Sequence, residues 1–210
     1  MLAFCQAMAM SGASLLIASS ALVGYELAED KSLSTLPLAV MFIAVMLTSI
    51  PAAMLMNRIG RKAGFLVSTL FAISGALIST YSIMHREFVG FIIGVALIGM
   101  FNGFANYFRF AAADAVGENL KSKAISYVLV GGVLAAVIGP NLANYTRDSL
   151  GDVAFAVSYA SLLGLYFLAI VGLSFLKLTD HRDEKFADEK RSLKEIASQP
   201  MWVVAVICGM

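Results

Sequence analysis

Long apolar stretches alternate with short polar ones along most of this chain. Six of these stretches have about the 20 residues that a helix needs to cross a hydrocarbon core roughly 30 Å thick. We therefore predict an all-α integral membrane bundle of six helices over residues 1–176. The expected spans cover approximately residues 2–25, 35–56, 65–84, 88–113, 124–145 and 153–176.

The pattern changes after residue 176. Residues 177–199 hold six Lys or Arg and six Asp or Glu, which predicts a charged linker in water. Pro200 opens a new apolar run, which reaches Met210 and is about half as long as a span. A helix that ends inside a membrane leaves backbone groups without partners. We interpret residues 200–210 as the truncated start of a seventh helix and the chain as the N-terminal half of a longer protein. The alternative is a half-length protein that pairs with a second copy.

Composition identifies the lipid bilayer as the main environment of the chain. Hydrophobic residues make up 60% of it, charged residues 14%, and the mean hydropathy is +0.83. Soluble domains carry about one-quarter charged residues. The net charge of +1 is not gathered on a basic face, so we expect no nucleic-acid partner. The residues show no phosphate-binding glycine loop, metal-ligand spacing or nucleophile beside a base, and we expect no enzyme activity, cofactor or metal.

Charge predicts which side of the membrane each link faces. Residues 57–64 place three positive charges within five residues between two uncharged spans, which predicts a tight cytoplasmic turn. With that side assigned, the cytoplasmic links hold eleven Lys or Arg and the outer links hold three. We therefore expect a cytoplasmic N-terminus, three short outer loops and a multi-pass protein of the plasma or inner membrane. The linker at residues 177–199 then lies in the cytoplasm.

The basic turn resembles the signature turn of the major facilitator superfamily, Gly-x-x-x-Asp-Arg-x-Gly-Arg-Lys. The matching positions here are Ala53, Asn57, Arg58, Gly60, Arg61 and Lys62. Alanine and asparagine stand where the family has glycine and aspartate. The resemblance implies two six-helix halves, each built from inverted three-helix repeats, and a gating role for the turn. Because Asn57 is uncharged, the resemblance implies an inner gate that either is weaker or relies on Asp114 for its carboxylate. The alternative is that Arg58, Arg61 and Lys62 serve only as topology signals.

The fourth span has an unusual polar content. Asn102, Asn106 and Arg109 are spaced four and three residues apart, which predicts one shared helical face beside Gly99 and Gly103. An ionisable group within a span needs a polar cavity or a partner, so this face is our candidate for substrate contacts. The amides can instead hydrogen-bond between helices. Arg109 can instead extend to the cytoplasmic boundary, or join the basic turn there together with Asp114.

The fifth span contains Gly131, Gly139 and Pro140, with Ala135 between the glycines. This run resembles a degenerate form of the family's fifth-helix antiporter motif, which implies export in exchange for protons. Close helix packing with a proline kink is the alternative.

Together these features predict a secondary active transporter that moves a small solute by alternating access, with proton-coupled efflux as one form of that activity. The sequence does not indicate the solute. The alternative is a non-transporting membrane protein, either a scaffold or a membrane enzyme whose active site lies beyond residue 210.

Overall fold

The computed structural model describes residues 1–147 and 155–175, and this part of the chain consists of helices joined by short links. The α-helices are α1 (Leu2–Leu27), α2 (Leu36–Ile59), α3 (Arg61–His85), α4 (Phe88–Ala105), α5 (Phe108–Asp114), α6 (Lys121–Thr146) and α7 (Ala156–Ser174). Single 3-10 turns occupy Lys31–Leu33 and Glu118–Leu120. Six helical segments in the described ranges are long and apolar enough to cross a membrane, with α4 and α5 together forming the fourth. The all-α prediction is confirmed, whereas the expected linker at 177–199 and the helix start at 200–210 lie outside the described residues.

The predicted turn at residues 57–64 is a single residue in the structure. α2 continues to Ile59 and α3 begins at Arg61, so only Gly60 connects the two spans. Gly60 has φ 88° and ψ 154°, a conformation that residues with a Cβ atom rarely adopt. The basic side chains therefore belong to helix ends and not to a loop. Long cationic side chains can extend to water while their backbone remains helical. Charged residues therefore do not mark the ends of the helices, and hydropathy alone places the end of α2 too early.

Helix α1 lies at the centre of the bundle. In its most apolar segment 67% of the residues are buried, against 17% for the second span and 22% for the fifth. α1 packs most extensively on α6, where the buried residues Gly131, Ala135, Gly139 and Ala143 recur every fourth position. A Cβ atom on Gly139 would lie 2.6 Å from the carbonyl oxygen of Ser11. Small residues thus let the two backbones approach closely, as is common between membrane helices.

Helix α4 uses glycines on two sides. A Cβ atom on Gly94 would lie 2.8 Å from the carbonyl oxygen of Gly75 on α3. A Cβ atom on Gly99 would lie 2.6 Å from the carbonyl oxygen of Met41 on α2. Gly99 and its neighbour Gly103 therefore pack against α2. This packing places α4 between α2 and α3.

Helix α7 packs on α1 and α3, and its buried tyrosines contact α1 and α4. The phenol oxygen of Tyr159 lies 3.1 Å from the hydroxyl of Ser20 and accepts a hydrogen bond from Ser19 at 3.4 Å. The Tyr166 ring meets the Phe101 ring of α4 edge to face, with 5.2 Å between the ring centroids. These contacts join the sixth span to both the first and the fourth.

The fourth span is broken, although its hydropathy predicts one continuous helix. α4 ends at Ala105 and α5 begins at Phe108, with Asn106 and Tyr107 forming a turn between them. The backbone N–H of Tyr107 donates to the carbonyl of Phe104 at 2.9 Å, a tighter pairing than that of an α-helix. The Tyr107 hydroxyl donates to the carbonyl oxygen of Ser49 on α2 at 2.8 Å. The break is thus supported by a contact with a neighbouring span, which hydropathy does not report.

Candidate functional site

The basic turn at residues 57–64 contacts the end of the fourth span. Arg61, the first residue of α3, forms an ion pair with the carboxylate of Asp114, the last residue of α5. The two side chains are 42% and 53% exposed, so water screens the pair and its contribution to stability is at most about 1 kcal/mol. Its importance is positional, because it joins the start of α3 to the end of α5.

The same turn contacts the end of the sixth span. The ammonium group of Lys62 donates to the carbonyl oxygen of Ser174 at 3.0 Å. Ser174 is the last residue of α7, and carbonyls at a helix C-terminus have no partner within their own helix. A cation at this position also interacts favourably with the helix dipole. Arg61 and Lys62 therefore connect the start of α3 to the ends of both α5 and α7.

Other residues of the basic turn are exposed or half-buried. Asn57 and Arg58 are exposed and lie in the last turn of α2. Ala53, one turn earlier, is half-buried. The turn is thus divided into two parts: Arg61 and Lys62 bind within the bundle, and Asn57 and Arg58 are exposed on its surface.

The structure separates the three polar residues predicted to share a face of the fourth span. Asn102 is buried at 5% exposure, and within the described residues neither atom of its amide group has a hydrogen-bond partner. Asn106 is half-buried at the helix break, and Arg109 is exposed on α5. The turn at Asn106 and Tyr107 interrupts the continuous helix on which the shared-face prediction was based, and the three residues lie in three different environments.

Arg109 packs against an aromatic residue that the sequence reasoning missed. Its guanidinium carbon lies 5.0 Å from the centre of the Phe110 ring, and Phe110 is 49% exposed. The Tyr107 ring centroid lies 6.0 Å from that of Phe110. Three aromatic residues around Arg109 within residues 107–110 were the available sequence signal. That signal does not show which rings are exposed: Phe108 is buried, Tyr107 is half-buried and Phe110 is exposed.

The fifth-span motif takes part in helix packing. Gly131 lies against the carbonyl oxygen of Ala3, and Gly139 lies against the backbone of Ser11, both on α1. Pro140 is half-buried beside Gly139. The alternative of close packing accounts for both glycines, and transport coupling is not needed to explain their positions.

Comparison with known proteins identifies the family. The family model described as Major Facilitator Superfamily matches residues 2–210. The "Riboflavin transporter RfnT" of Brucella anthropi is 33% identical over 211 residues, which cover 100% of this chain and 53% of that protein. The "Uncharacterized MFS-type transporter YddS" of Bacillus subtilis is 27% identical over 164 residues, 76% of this chain and 35% of that protein.

No solved structure matches the chain significantly. The chain spans about half the length of the first of these relatives and about a third of the second. The family match over nearly every residue agrees with the six spans and with the basic turn between the second and third. This chain belongs to the major facilitator superfamily.

Proposed function

We propose that this chain forms one bundle of a secondary active transporter that moves a small solute by alternating access. The observation that carries the proposal is the pair of contacts made by Arg61 and Lys62 with the ends of α5 and α7. Both contacts begin at the family's signature turn. They join three spans at one end of the bundle. Such contacts are needed if the helices of the bundle are to move together.

The mechanism follows from the division of the turn. Arg61 and Lys62 hold the inner end of this bundle together, while Asn57 and Arg58 remain exposed for a second bundle. In the state closed to the cytoplasm, the exposed pair engages helices of that second bundle, and in the open state it releases them. Asp114 supplies the carboxylate that Asn57 lacks. The second bundle is the remainder of a longer polypeptide or a second copy.

The solute is proposed from the named relative together with the fourth span. Riboflavin, the solute in the name of the Brucella anthropi protein, is the first candidate. Asn102, Asn106 and Arg109 are the proposed contact residues. Proton-coupled efflux remains one form of the proposal, and the partial match at Gly131, Gly139 and Pro140 supports it. We also propose a plasma or inner membrane location with a cytoplasmic N-terminus, on the basis of the charge distribution.

Reconstitution tests this function directly. The transporter that contains this chain is placed in liposomes, and riboflavin movement is followed with and without an imposed pH gradient. We expect saturable movement that the gradient accelerates in one direction. A panel of sugars, drugs and organic acids provides alternative solutes. If no member of the panel moves through correctly inserted protein, the transporter proposal is wrong and the non-transporting alternative gains support.

A further inference from the structure

Arg109 and Phe110 form an exposed pair of flat groups on α5. The guanidinium carbon lies 5.0 Å from the ring centre, within the range of a cation–π contact. Phe110 is 49% exposed and Arg109 is exposed as well. Consecutive residues of a helix usually point in different directions, so an exposed guanidinium close to its neighbour's ring is a specific arrangement.

The segment that carries the pair contacts the two least buried spans. The Tyr107 hydroxyl fastens the start of α5 to Ser49 of α2, and α5 packs on α6. In the most apolar segments of the second and fifth spans only 17% and 22% of the residues are buried. Arg109 and Phe110 thus belong to a segment whose neighbours, α2 and α6, leave much of their own surface uncovered.

The depth of Arg109 in the membrane calls for a polar partner. Arg109 precedes Asp114 by five residues, which is about 7 Å along a helix axis. Asp114 is at the level of the cytoplasmic turn because it pairs with Arg61. A guanidinium that lies deeper in the membrane than that level has an unfavourable free energy unless it faces a polar cavity or a binding partner. Within the described residues, Arg109 contacts the aromatic ring of Phe110 and not a carboxylate.

We propose that Arg109 and Phe110 determine solute specificity by binding a flat conjugated ring that carries carbonyl oxygens. The phenyl ring stacks on such a ring, and the planar guanidinium both stacks and donates hydrogen bonds to the carbonyls. Arginine is suited to this task because its donors lie in one plane, whereas lysine offers only a point charge. This inference rests on the proposed transport function and narrows its substrate class.

Binding to the purified, full-length transporter provides the test, with riboflavin fluorescence as the signal. Lumichrome carries the fused ring without the ribityl chain, and ribitol represents the chain without the ring. We expect lumichrome to compete with riboflavin and ribitol not to compete. Phe110→Leu and Arg109→Lys should each raise the riboflavin Kd about three- to tenfold. Phe110→Tyr, which keeps the ring, should bind riboflavin more tightly than Phe110→Leu.

Phe167→Leu is the matched control, because Phe167 is a 63% exposed aromatic residue of α7, away from α5. It should leave the Kd unchanged. The proposal is overturned if both Phe110→Leu and Arg109→Lys bind like the wild type, or if ribitol competes and lumichrome does not. Effects that appear only as altered binding to vesicles containing anionic lipid would also overturn it, since they would identify Arg109 as a headgroup contact.

The outcome also separates this inference from the proposed function. If the wild type binds no flavin-type ring but accumulates another member of the solute panel, the ring-binding inference is wrong and the transporter proposal stands. If the wild type moves no solute at all, both fail. Size-exclusion profiles of each variant establish that a lost signal reflects binding and not unfolding.

Discussion

Arg61 and Asp114 form an ion pair between the start of the third span and the end of the fourth. The pair is partly exposed, so its loss should change the stability of the bundle by no more than about 1 kcal/mol. Its position at the signature turn suggests a larger effect on movement than on stability. This contrast can be measured.

We expect Arg61→Asp and Asp114→Arg each to lower transport several-fold, because each places like charges together. The double variant restores the pair with reversed charges and should recover a substantial part of the activity. Solute flux in liposomes measures the effect, with thermal unfolding measured in parallel. Lys123→Asp is the control, since Lys123 is an exposed cation at the start of α6. No recovery in a double variant that inserts normally would contradict a role for the pair itself.

Gly60→Ala tests the one-residue connection between α2 and α3. At φ 88° and ψ 154° a Cβ atom is strained, and we expect a loss of roughly 1–3 kcal/mol in the free energy of unfolding. Gly132→Ala is the matched control, because Gly132 lies within α6 with open space at the position of a Cβ atom. Thermal unfolding in detergent should show a lower midpoint for Gly60→Ala alone. Equal midpoints would mean that the turn can adopt another conformation.

The contrast between residues 57–64 and the fourth span shows what hydropathy can predict. The order of the spans follows from apolar length, because each span must bury its backbone polar groups in its own helix. The chain reversal at Gly60 and the break at Asn106 and Tyr107 depend on local dihedral angles and on a contact with Ser49. Those features depend on backbone geometry and on contacts between helices. Hydropathy along the sequence reports neither.

The candidate site shows the same limit. The sequence indicates Asp114 as a carboxylate near the inner boundary, but its pairing with Arg61 and not with Arg109 depends on how α3 and α5 end. The burial of Asn102 and the exposure of Arg109 depend on which side of each helix faces the neighbouring helices. Spacing along an assumed continuous helix cannot supply that direction.

Gly139→Leu tests the close approach of α1 and α6. A Cβ atom at this position would lie 2.6 Å from both the Ser11 carbonyl oxygen and the Ser14 Cβ atom, so the helices must separate. We expect a destabilisation of about 1–3 kcal/mol, as for other overpacked sites. Gly132→Leu on the same helix should be tolerated, because a Cβ atom at Gly132 meets open space. Comparable stability of the two variants would contradict tight packing at the crossing.

Asn102→Leu should change stability and transport in opposite directions. Both amide atoms of Asn102 are buried without partners in the described part of the chain, and a buried polar group without a partner costs about 1–3 kcal/mol. Leucine has a similar size and removes that cost, so we expect a higher unfolding midpoint. If Asn102 contacts solute during transport, flux should fall. A variant that is more stable and fully active would assign Asn102 no part in solute contact.

Lys62→Met should loosen the end of the sixth span. The variant keeps the apolar length of the side chain but loses the hydrogen bond from the ammonium group to the Ser174 carbonyl at 3.0 Å. We expect faster amide hydrogen exchange in the last turn of α7, because fewer contacts then oppose local opening there. Lys123→Met removes a cation near the start of another helix, α6, and should leave exchange in α7 unchanged. Unchanged exchange in both variants would show that the last turn of α7 is stable without Lys62. The basic turn would then stabilise only the end of the fourth span, through Arg61.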